Sequence, residues 1–382
     1  MLVTALAAIP FLIWIYLLAF RGGFWRISKR LAPVEPRQMQ GEHVAVVIPA
    51  RNEADVIGPA LTSLFEQDFP TPLHIFLVDD GSTDQTAEVA TLIADRAGKR
   101  SWLTVITGQP LVAGWTGKLW ALSQGVEQAE TLVPDYLLLT DADVVHGSDT
   151  VASLVAMAKT NRYDLTSYMV KLACESYAEK ALIPAFVFFF VKLYPPKWIA
   201  SRGFRTAAAA GGCILIFSDT LKRIGGLAAI RSEVIDDCAL AREVKRSGGR
   251  IWMGLTSTTE SIRSYGTFRE IERMISRTAF NQLRHSFLLL IGTIVGLIFT
   301  YVLPPLLLLT GKLPAMILGF LSWLLMSVAY LPTLRFYKLS PGWSLSLPLV
   351  ACFYTAATIH SALQYWLGRG GAWKGRIQDA RW

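Results

Sequence analysis

Carboxylates gather at the ends of apolar runs in this chain of 382 residues. Leu77-Val78 runs into Asp79-Asp80-Gly81-Ser82-Thr83-Asp84, and Tyr136-Leu137-Leu138-Leu139-Thr140 runs into Asp141-Ala142-Asp143. An apolar run that ends in acids and a turn reads as a buried strand whose C-terminal end faces a ligand crevice. Asp80 there can accept hydrogen bonds from a nucleobase imide or a ribose hydroxyl. Asp141 and Asp143 stand on either side of Ala142 at the end of the run and are expected to point to different sides. One can face a ribose while the other meets a divalent cation, and Mg²⁺ or Mn²⁺ prefers such hard oxygen ligands. Asp236-Asp237 stands ahead of a helical stretch. A carboxylate there can act as a general base towards an attacking hydroxyl, and its neighbour raises the chance of a shifted pKa.

Each motif has a blander reading. Asp-Gly-Ser is common turn and helix-cap chemistry, short Asp-x-Asp matches arise by chance, and an acid at a helix start complements the helix dipole. Gly117-Lys118 opens a helix where a phosphate would be favoured, yet a solvated lysine fits as well. Together with a preceding strand and turn, Val46-Val47-Ile48-Pro49-Ala50-Arg51-Asn52-Glu53, the set makes a nucleotide-sugar site the leading expectation.

The elements that must hold these residues alternate in type. Strands are expected near 44–49, 73–79, 102–106 and 136–140, and helices near 55–67, 84–97, 118–128 and 149–160. This alternation predicts an α/β domain with a mostly parallel, helix-covered sheet. Ser82-Thr83-Asp84-Gln85 has the spacing of a capping box. Thr206 to Gly212 is rich in small residues and suits close approach of a ligand. Arg269, Arg273, Arg277 and Arg284 recur at helical spacing, which predicts one basic amphipathic helix running towards a membrane, its arginines facing headgroups or solvent.

Composition adds a membrane. Hydrophobic residues make up 52% and mean hydropathy is +0.38. Leu2 to Phe20 carries no charge and is followed by Arg21, Arg26, Lys29, Arg30 and Arg37. A run of that length can span a bilayer, and the cations after it place its C-terminal side in the cytoplasm. A cleaved signal peptide would carry its positive charge ahead of the apolar run. The expected layout is a transmembrane helix over 1–20, a basic linker over 21–42, a cytosolic domain over 43–285, a transmembrane region over 286–368 and a basic tail over 369–382. Within that region the candidate spans are 287–310, 313–333 and 344–367. Three spans would carry the tail, with Arg369, Lys374, Arg376 and Arg381, to the far side, against the positive-inside rule. Either one segment is re-entrant or interfacial, or this tail is an exception to the rule. Residues 181–194 are apolar but short, and read as interfacial or buried.

The net charge of +8 fits anionic lipid better than nucleic acid, since no aromatic–basic RNA-binding motif is present. Four cysteines without Cys-x-x-Cys spacing fit reduced thiols. No Gly-x-Ser-x-Gly elbow, Gly-x-x-x-x-Gly-Lys-Ser/Thr loop or His-Glu-x-x-His motif occurs. His285 and His360 read as structural polar contacts.

With these residues in view, the chain resembles the family 2 glycosyltransferases over roughly residues 43–285. Val46 to Glu53 is similar to their opening strand, which puts Pro49, Arg51 and Glu53 among the donor-binding positions. Val78 to Asp84 is close to their most specific signature, and Asp80 falls on the uracil-binding aspartate. Gly117-Lys118 with Ala121-Leu122 is similar to their Gly-Lys-x-x-Ala-Leu segment. Asp141-Ala142-Asp143 matches their Asp-x-Asp motif, so Asp141 is implied for the donor and Asp143 for the metal. Asp236-Asp237 matches their Glu-Asp motif with Asp236 in place of glutamate, and Asp237 falls on the base. Asn281-Gln282-Leu283-Arg284-His285 stands where processive and ceramide-type members carry Gln/Arg-x-x-Arg-Trp. Both ends are changed, which leaves a pyrophosphate or acceptor role for Arg284 and Asp236 as an open expectation.

The resemblance implies a GT-A nucleotide-sugar-binding domain with transmembrane α-helices at both ends. It implies an inverting, metal-dependent transfer from a nucleotide-sugar, expected to be a UDP-sugar, to a lipid hydroxyl at a bacterial inner membrane. The cofactor would be Mg²⁺ or Mn²⁺. Arg277 to Arg284 and Trp373-Lys374-Gly375-Arg376 are most similar to hopanoid-associated members, with carotenoid-acid and ceramide glucosyltransferases more distant. The rival reading is a non-catalytic sugar-nucleotide-binding subunit of a membrane complex, which would not need Asp237.

Overall fold

The computed structural model describes residues 2–27, 41–373 and 376–377. Most of the expected basic linker therefore lies outside the described residues. The chain begins with helix α1 (Leu2–Phe20). The α/β domain follows as β1 (Val44–Ala50), α2 (Ile57–Phe65), β2 (His74–Asp79), α3 (Thr86–Arg96), β3 (Leu103–Thr107), α4 (Gly117–Glu130) and β4 (Tyr136–Thr140). It continues through β5 (Val144–Val145), α5 (Thr150–Asn161), β6 (Leu165–Lys171), α6 (Tyr177–Leu193), α7 (Pro196–Ala200), β7 (Cys213–Phe217), α8 (Ser218–Arg223), α9 (Asp236–Arg246) and β8 (Ile251–Ser261).

One sheet holds all eight of these strands in the order β3-β2-β1-β4-β7-β6-β8-β5. The first four are parallel, as expected. The second half is mixed: β7 runs antiparallel to β4 and β6, and β5 runs antiparallel to β8. The sheet is therefore less parallel than its first half suggests. Chain order reverses at β1, between β2 and β4, which makes a switch-point crevice at the strand C-termini. The β1–β4 ladder stops at Val47 and Leu139. Pro49, which has no N–H to donate, lies just beyond it and opens that crevice. Helix α4 seats deeply on the strands beneath: a Cβ on Gly125 would come within 2.4 Å of a Val47 methyl and 2.9 Å of a Val78 methyl.

Two local expectations are corrected. No capping box forms over 82–85. Helix α3 starts at Thr86, after Gln85 in the left-handed region at φ 67°. Asp84 accepts from the Thr86 N–H at 3.2 Å and from the Ala54 N–H at 3.0 Å. One acid thus caps the helix and stitches it to the turn after β1, a task the box would have left undone. The arginine run is also not one helix. It divides into α10 (Phe268–Ser276) and a single turn α11 (Ala279–Gln282), and Arg284 and His285 both have positive φ. The cause is a hydroxyl in the helix ladder. Ser361 donates to the Ser276 carbonyl and accepts from the Phe280 N–H, the pair that would otherwise bond each other.

Apolar helices complete the chain: α12 (Phe287–Leu297), a π-helical turn over Ile298–Val302, α13 (Leu303–Leu307), α14 (Leu313–Phe336) and α15 (Leu347–Trp366). Five segments are long and apolar enough to cross a membrane: 2–20, 177–200, 287–307, 313–336 and 341–366. Two of them are held at both ends by the α/β domain or its neighbours. For α6, Glu179 at the N-terminus accepts from the N–H of Tyr265 at 2.6 Å. At its C-terminus Arg21 donates to the carbonyls of Lys192 and Leu193, and Lys245 of α9 binds carbonyls of 198, 199 and 206. Residues 181–194 are largely buried there. For α15, the segment leading into it places Trp343 against Tyr177, its middle pairs His360 with Glu272 of α10, and its end stacks Tyr365 on His285 at 3.9 Å. Helix α15 therefore runs alongside 268–287, and its exposed side is an apolar stripe of Leu345, Leu349, Ile359, Leu363 and Trp366.

Helix α1 joins this bundle through a backbone defect. Pro304 cannot donate to the Thr300 carbonyl four residues earlier. The Trp14 indole N–H takes that carbonyl instead, at 2.8 Å, and its ring meets Tyr301 edge-on. Trp14 is fully buried. Replacing Trp14 with Phe keeps most of the packing and orphans the carbonyl, at a cost of about 1–3 kcal/mol. The expected outcome is a lower melting temperature for the purified chain in detergent; an unchanged value would show that the carbonyl has another donor.

Candidate active site

Three loops bring acids together at the switch point. Pro49, Glu53, Lys118, Asp141, Asp143 and Asp236 line one open cleft of about 470 Å³. Asp237 lines a narrow recess that shares Pro49, Lys118, Asp141 and Asp236 with the cleft. The two motif carboxylates after β4 do point apart, because the chain turns at Ala142-Asp143 instead of continuing as a strand, where residues two apart would share a face. Asp141 meets Lys118 at 2.8 Å, and Asp143 meets Arg263 at 2.9 Å. Lys118 also reaches Asp236 at 3.3 Å, so one ammonium links the end of β4 to the start of α9. Burial acts to lower the Lys118 pKa, but Asp141, Asp236 and Asp237 outweigh it and hold the pKa well above the usual lysine range.

Asp237 is anchored by backbone. Its Oδ2 accepts from the Gly211 N–H at 2.9 Å and its Oδ1 from the Cys238 N–H at 2.6 Å. A Cβ at 211 would lie in ordinary contact with both groups, 3.4 Å from that Oδ2 and 3.5 Å from the Lys118 ammonium. The small-residue stretch thus comes close to the acid itself. Burial, followed by the charge of Asp236, pushes the Asp237 carboxyl up to about 6, against Lys118 and the two backbone N–H groups. Burial also raises Asp141, helped by Asp143 and opposed by Lys118.

Other expected residues sit around this centre rather than in it. Asp80 is 2% exposed at the end of β2, and Arg51 lies over it, donating to its carbonyl and standing 4.0 Å from its Oδ2. Neither is among the residues that line the cleft. Arg284 is exposed on the turn after α11, also outside the lining. Its neighbour Gln282 reaches inward and donates to the Tyr194 hydroxyl at 2.6 Å.

Several lining residues escaped sequence reasoning. Arg263 joins Asp143 and Glu53, although Glu53 is 210 residues away in the chain. Arg273 and Arg277 line the cleft, as do Tyr265 and Glu233. Both are exposed, as the solvent-facing expectation has it, but the side they share opens onto this cleft. The helical spacing of the arginines was a visible signal, but not which side it served. Arg263 follows a strand whose mixed sequence gave no period.

The acids form no closed metal cage: among the described residues no group of three or more His, Cys, Asp and Glu side chains converges as one. A magnesium-type site does not need one, because such ions take one or two carboxylates plus substrate phosphates. Asp141 and Asp143 beside an open cleft fit that donor set.

Over residues 41–281 the sequence matches the family described as "Glycosyltransferase like family 2". The chain belongs to the family 2 glycosyltransferases. The 4,4'-diaponeurosporenoate glycosyltransferase of Staphylococcus aureus (strain USA300) is 34% identical to this glycosyltransferase over 156 residues, 40% of this chain. The match spans only 36% of that relative's length. Among solved structures, the mannosyltransferase PcManGT from Pyrobaculum calidifontis, in complex with GDP-Man and Mn²⁺, superposes with a TM-score of 0.54 at 17% identity. The superposition covers 95% of this chain and 98% of that one, a likeness of fold. The α/β domain has the GT-A fold.

The environment of Asp237 sets a pH limit on any proton transfer through it. Below about pH 6 its carboxyl is neutral and accepts no proton. Transfer is expected to fall about tenfold per unit of pH below that point, and Asp236→Asn to move this acid limb to lower pH. A rate profile with no acid limb in wild type would remove Asp237 as proton acceptor.

Proposed function

We propose that this glycosyltransferase moves a sugar from a nucleotide-sugar, a UDP-sugar by the family resemblance, to the hydroxyl of a lipid, with inversion at the anomeric carbon. One observation carries the lipid half of this reading. The wall of the cleft is α10, and the opposite side of α10 packs on α15, whose free face is apolar. The acids thus open one helix away from a surface fit for lipid.

In this reading Asp141 and the Pro49 turn hold the nucleoside, and a nucleobase that reached Asp80 would share it with Arg51. Asp143 would hold Mg²⁺ or Mn²⁺ together with the donor diphosphate; the ion supplies Lewis-acid neutralisation of charge on the leaving group. Lys118 keeps the neighbouring carboxylates at fixed spacing, and Arg273 and Arg277 add positive charge across the cleft. Asp237 takes the proton of the acceptor hydroxyl as its oxygen forms the new bond to the anomeric carbon. The bond from that carbon to the diphosphate oxygen breaks on the opposite face, and the nucleoside diphosphate leaves with its electron pair. General-base catalysis contributes about 10²–10⁴, so Asp237→Asn is expected to lose that much in turnover while still binding donor. A hopanoid or a related polycyclic lipid is the acceptor class we favour, on the sequence resemblance of 277–284 and 373–376.

The direct test is UDP release from UDP-sugars by the purified chain with a bacterial lipid extract. Lipid-stimulated release that Asp143→Ala abolishes supports the reading. Release that never depends on lipid, or that survives the substitution unchanged, overturns it.

We also read α1, the α12–α13 rod and α14 as the crossing segments, with α6 and α15 lying in the membrane plane at an inner membrane and the α/β domain in the cytoplasm. What supports this is that both ends of α15 meet residues flanking the domain, at Tyr177 and His285. Helix α15 can cross only if α10 does, and α10 carries Arg269, Glu270, Glu272 and Arg273. Charged groups at bilayer depth are costly. This layout brings the basic tail back to the cytoplasmic side, in line with the positive-inside rule. A C-terminal tag is expected to be digested by protease in inside-out vesicles and protected in intact cells; the reverse pattern would put α15 across the membrane.

A further inference from the structure

We propose that Arg263 holds Asp143 as an internal cation until the donor arrives, so that the divalent ion enters with the nucleotide and not ahead of it. This rests on the reading of Asp143 as the metal carboxylate. The Arg263 guanidinium donates from Nε to Asp143 Oδ2 at 2.9 Å and from Nη2 to Glu53. Ser261 adds a third bond, to the same Asp143 oxygen, at 3.2 Å. These are not chance contacts of a loose side chain. Val144 pairs with Ser261 across the β5–β8 ladder, and the Ile262 N–H continues it to the Asp143 carbonyl at 2.9 Å. Backbone pairing thus fixes Arg263 beside Asp143.

Chemistry makes the pairing competitive. A guanidinium is always charged, and its planar fork suits two carboxylates at once. A cation that binds the same Asp143 oxygen must displace it and sit beside a like charge. Arg273 and Arg277 line the same cleft, so a free ion meets further repulsion there. A diphosphate reverses both terms: it supplies ligands for the ion and anions for the arginines. Glu53, with only 9% of its side chain exposed, keeps a partner for Arg263 once Asp143 lets go, so the released guanidinium stays in the site.

The experiment is Mn²⁺ binding to the full-length chain in detergent, read from the electron paramagnetic resonance signal of free Mn²⁺, with and without UDP. Wild type is expected to bind Mn²⁺ weakly alone and more tightly with UDP, and Asp143→Asn to lose that binding. Pairing with an arginine shifts a carboxylate's affinity for a proton by about 1–3 decades. By the same charge argument Arg263→Gln should tighten Mn²⁺ binding without UDP by on the order of tenfold or more, and the gain from UDP should shrink. Equal or weaker binding in Arg263→Gln overturns the proposal while the metal reading stands. No Mn²⁺ binding to wild type even with UDP overturns both. If the Gln variant does not fold, Arg263→Lys serves: a lysine cannot bridge both acids, so Mn²⁺ alone must bind more tightly than to wild type, and unchanged binding refutes the proposal.

Discussion

Like charges packed into one crevice are the constraint on which the site depends. Glu53, Asp141, Asp143, Asp236 and Asp237 converge from three loops. Buried carboxylates repel one another and are costly unless paired. Two cations make the arrangement possible, and each spans elements distant in sequence. Lys118 of α4 ties β4 to α9. Arg263, after β8, ties β4 to the turn after β1. Burial is the larger cause of the raised pKa of Asp237 and Asp141, with the neighbouring Asp236 and Asp143 adding to it. The acids are thus held apart by the protein's own cations, and a divalent ion at Asp143 would have to take the place of Arg263.

Backbone geometry places these charges, so the fold and the chemistry are one problem. The switch point at β1 gives the crevice, and the early end of the β1–β4 ladder opens it. Gly125 lets α4 sit close enough for Lys118 to reach two carboxylates, and the backbone N–H of Gly211 holds Asp237 from the other side. Overpacking a close contact costs about 1–3 kcal/mol, but its cost to function would come through the Lys118 bridge, which has little slack between 2.8 and 3.3 Å.

Short apolar runs, ending in acids at β2 and β4, made β1 to β4 legible in the sequence, with boundaries within two residues of those observed. The second half of the sheet was not legible. Strand β8 reads Ile-Trp-Met-Gly-Leu-Thr-Ser-Thr-Thr-Glu-Ser, with no clean alternation, and β5 has two residues. Their pairing is what delivers Arg263, so the residue most entangled with Asp143 had no local signal. The arginine stripe was visible as a period, but its break was not. That break depends on Ser361, 81 residues beyond Phe280. For α15 the sequence shows the length and hydropathy of a crossing helix, while its contacts with 268–287 depend on residues far away in the chain.

Those contacts connect the apolar face of α15 to the acids of the cleft. The Ser361 hydroxyl holds the break between α10 and α11, and His360, one residue before it, pairs with Glu272 of α10. The break ends α10 just before Arg277 and lets the chain turn, so that Gln282 of α11 reaches Tyr194. Tyr194 in turn packs against the buried cluster that holds Cys238, the residue after Asp237. A polar side chain on an apolar helix is retained only where a partner satisfies it. Here the partners are the backbone of the break itself and an acid on the cleft helix. The position of α15, with its apolar face free for lipid, is thereby tied through α10 and α11 to the recess where the acceptor hydroxyl would meet Asp237.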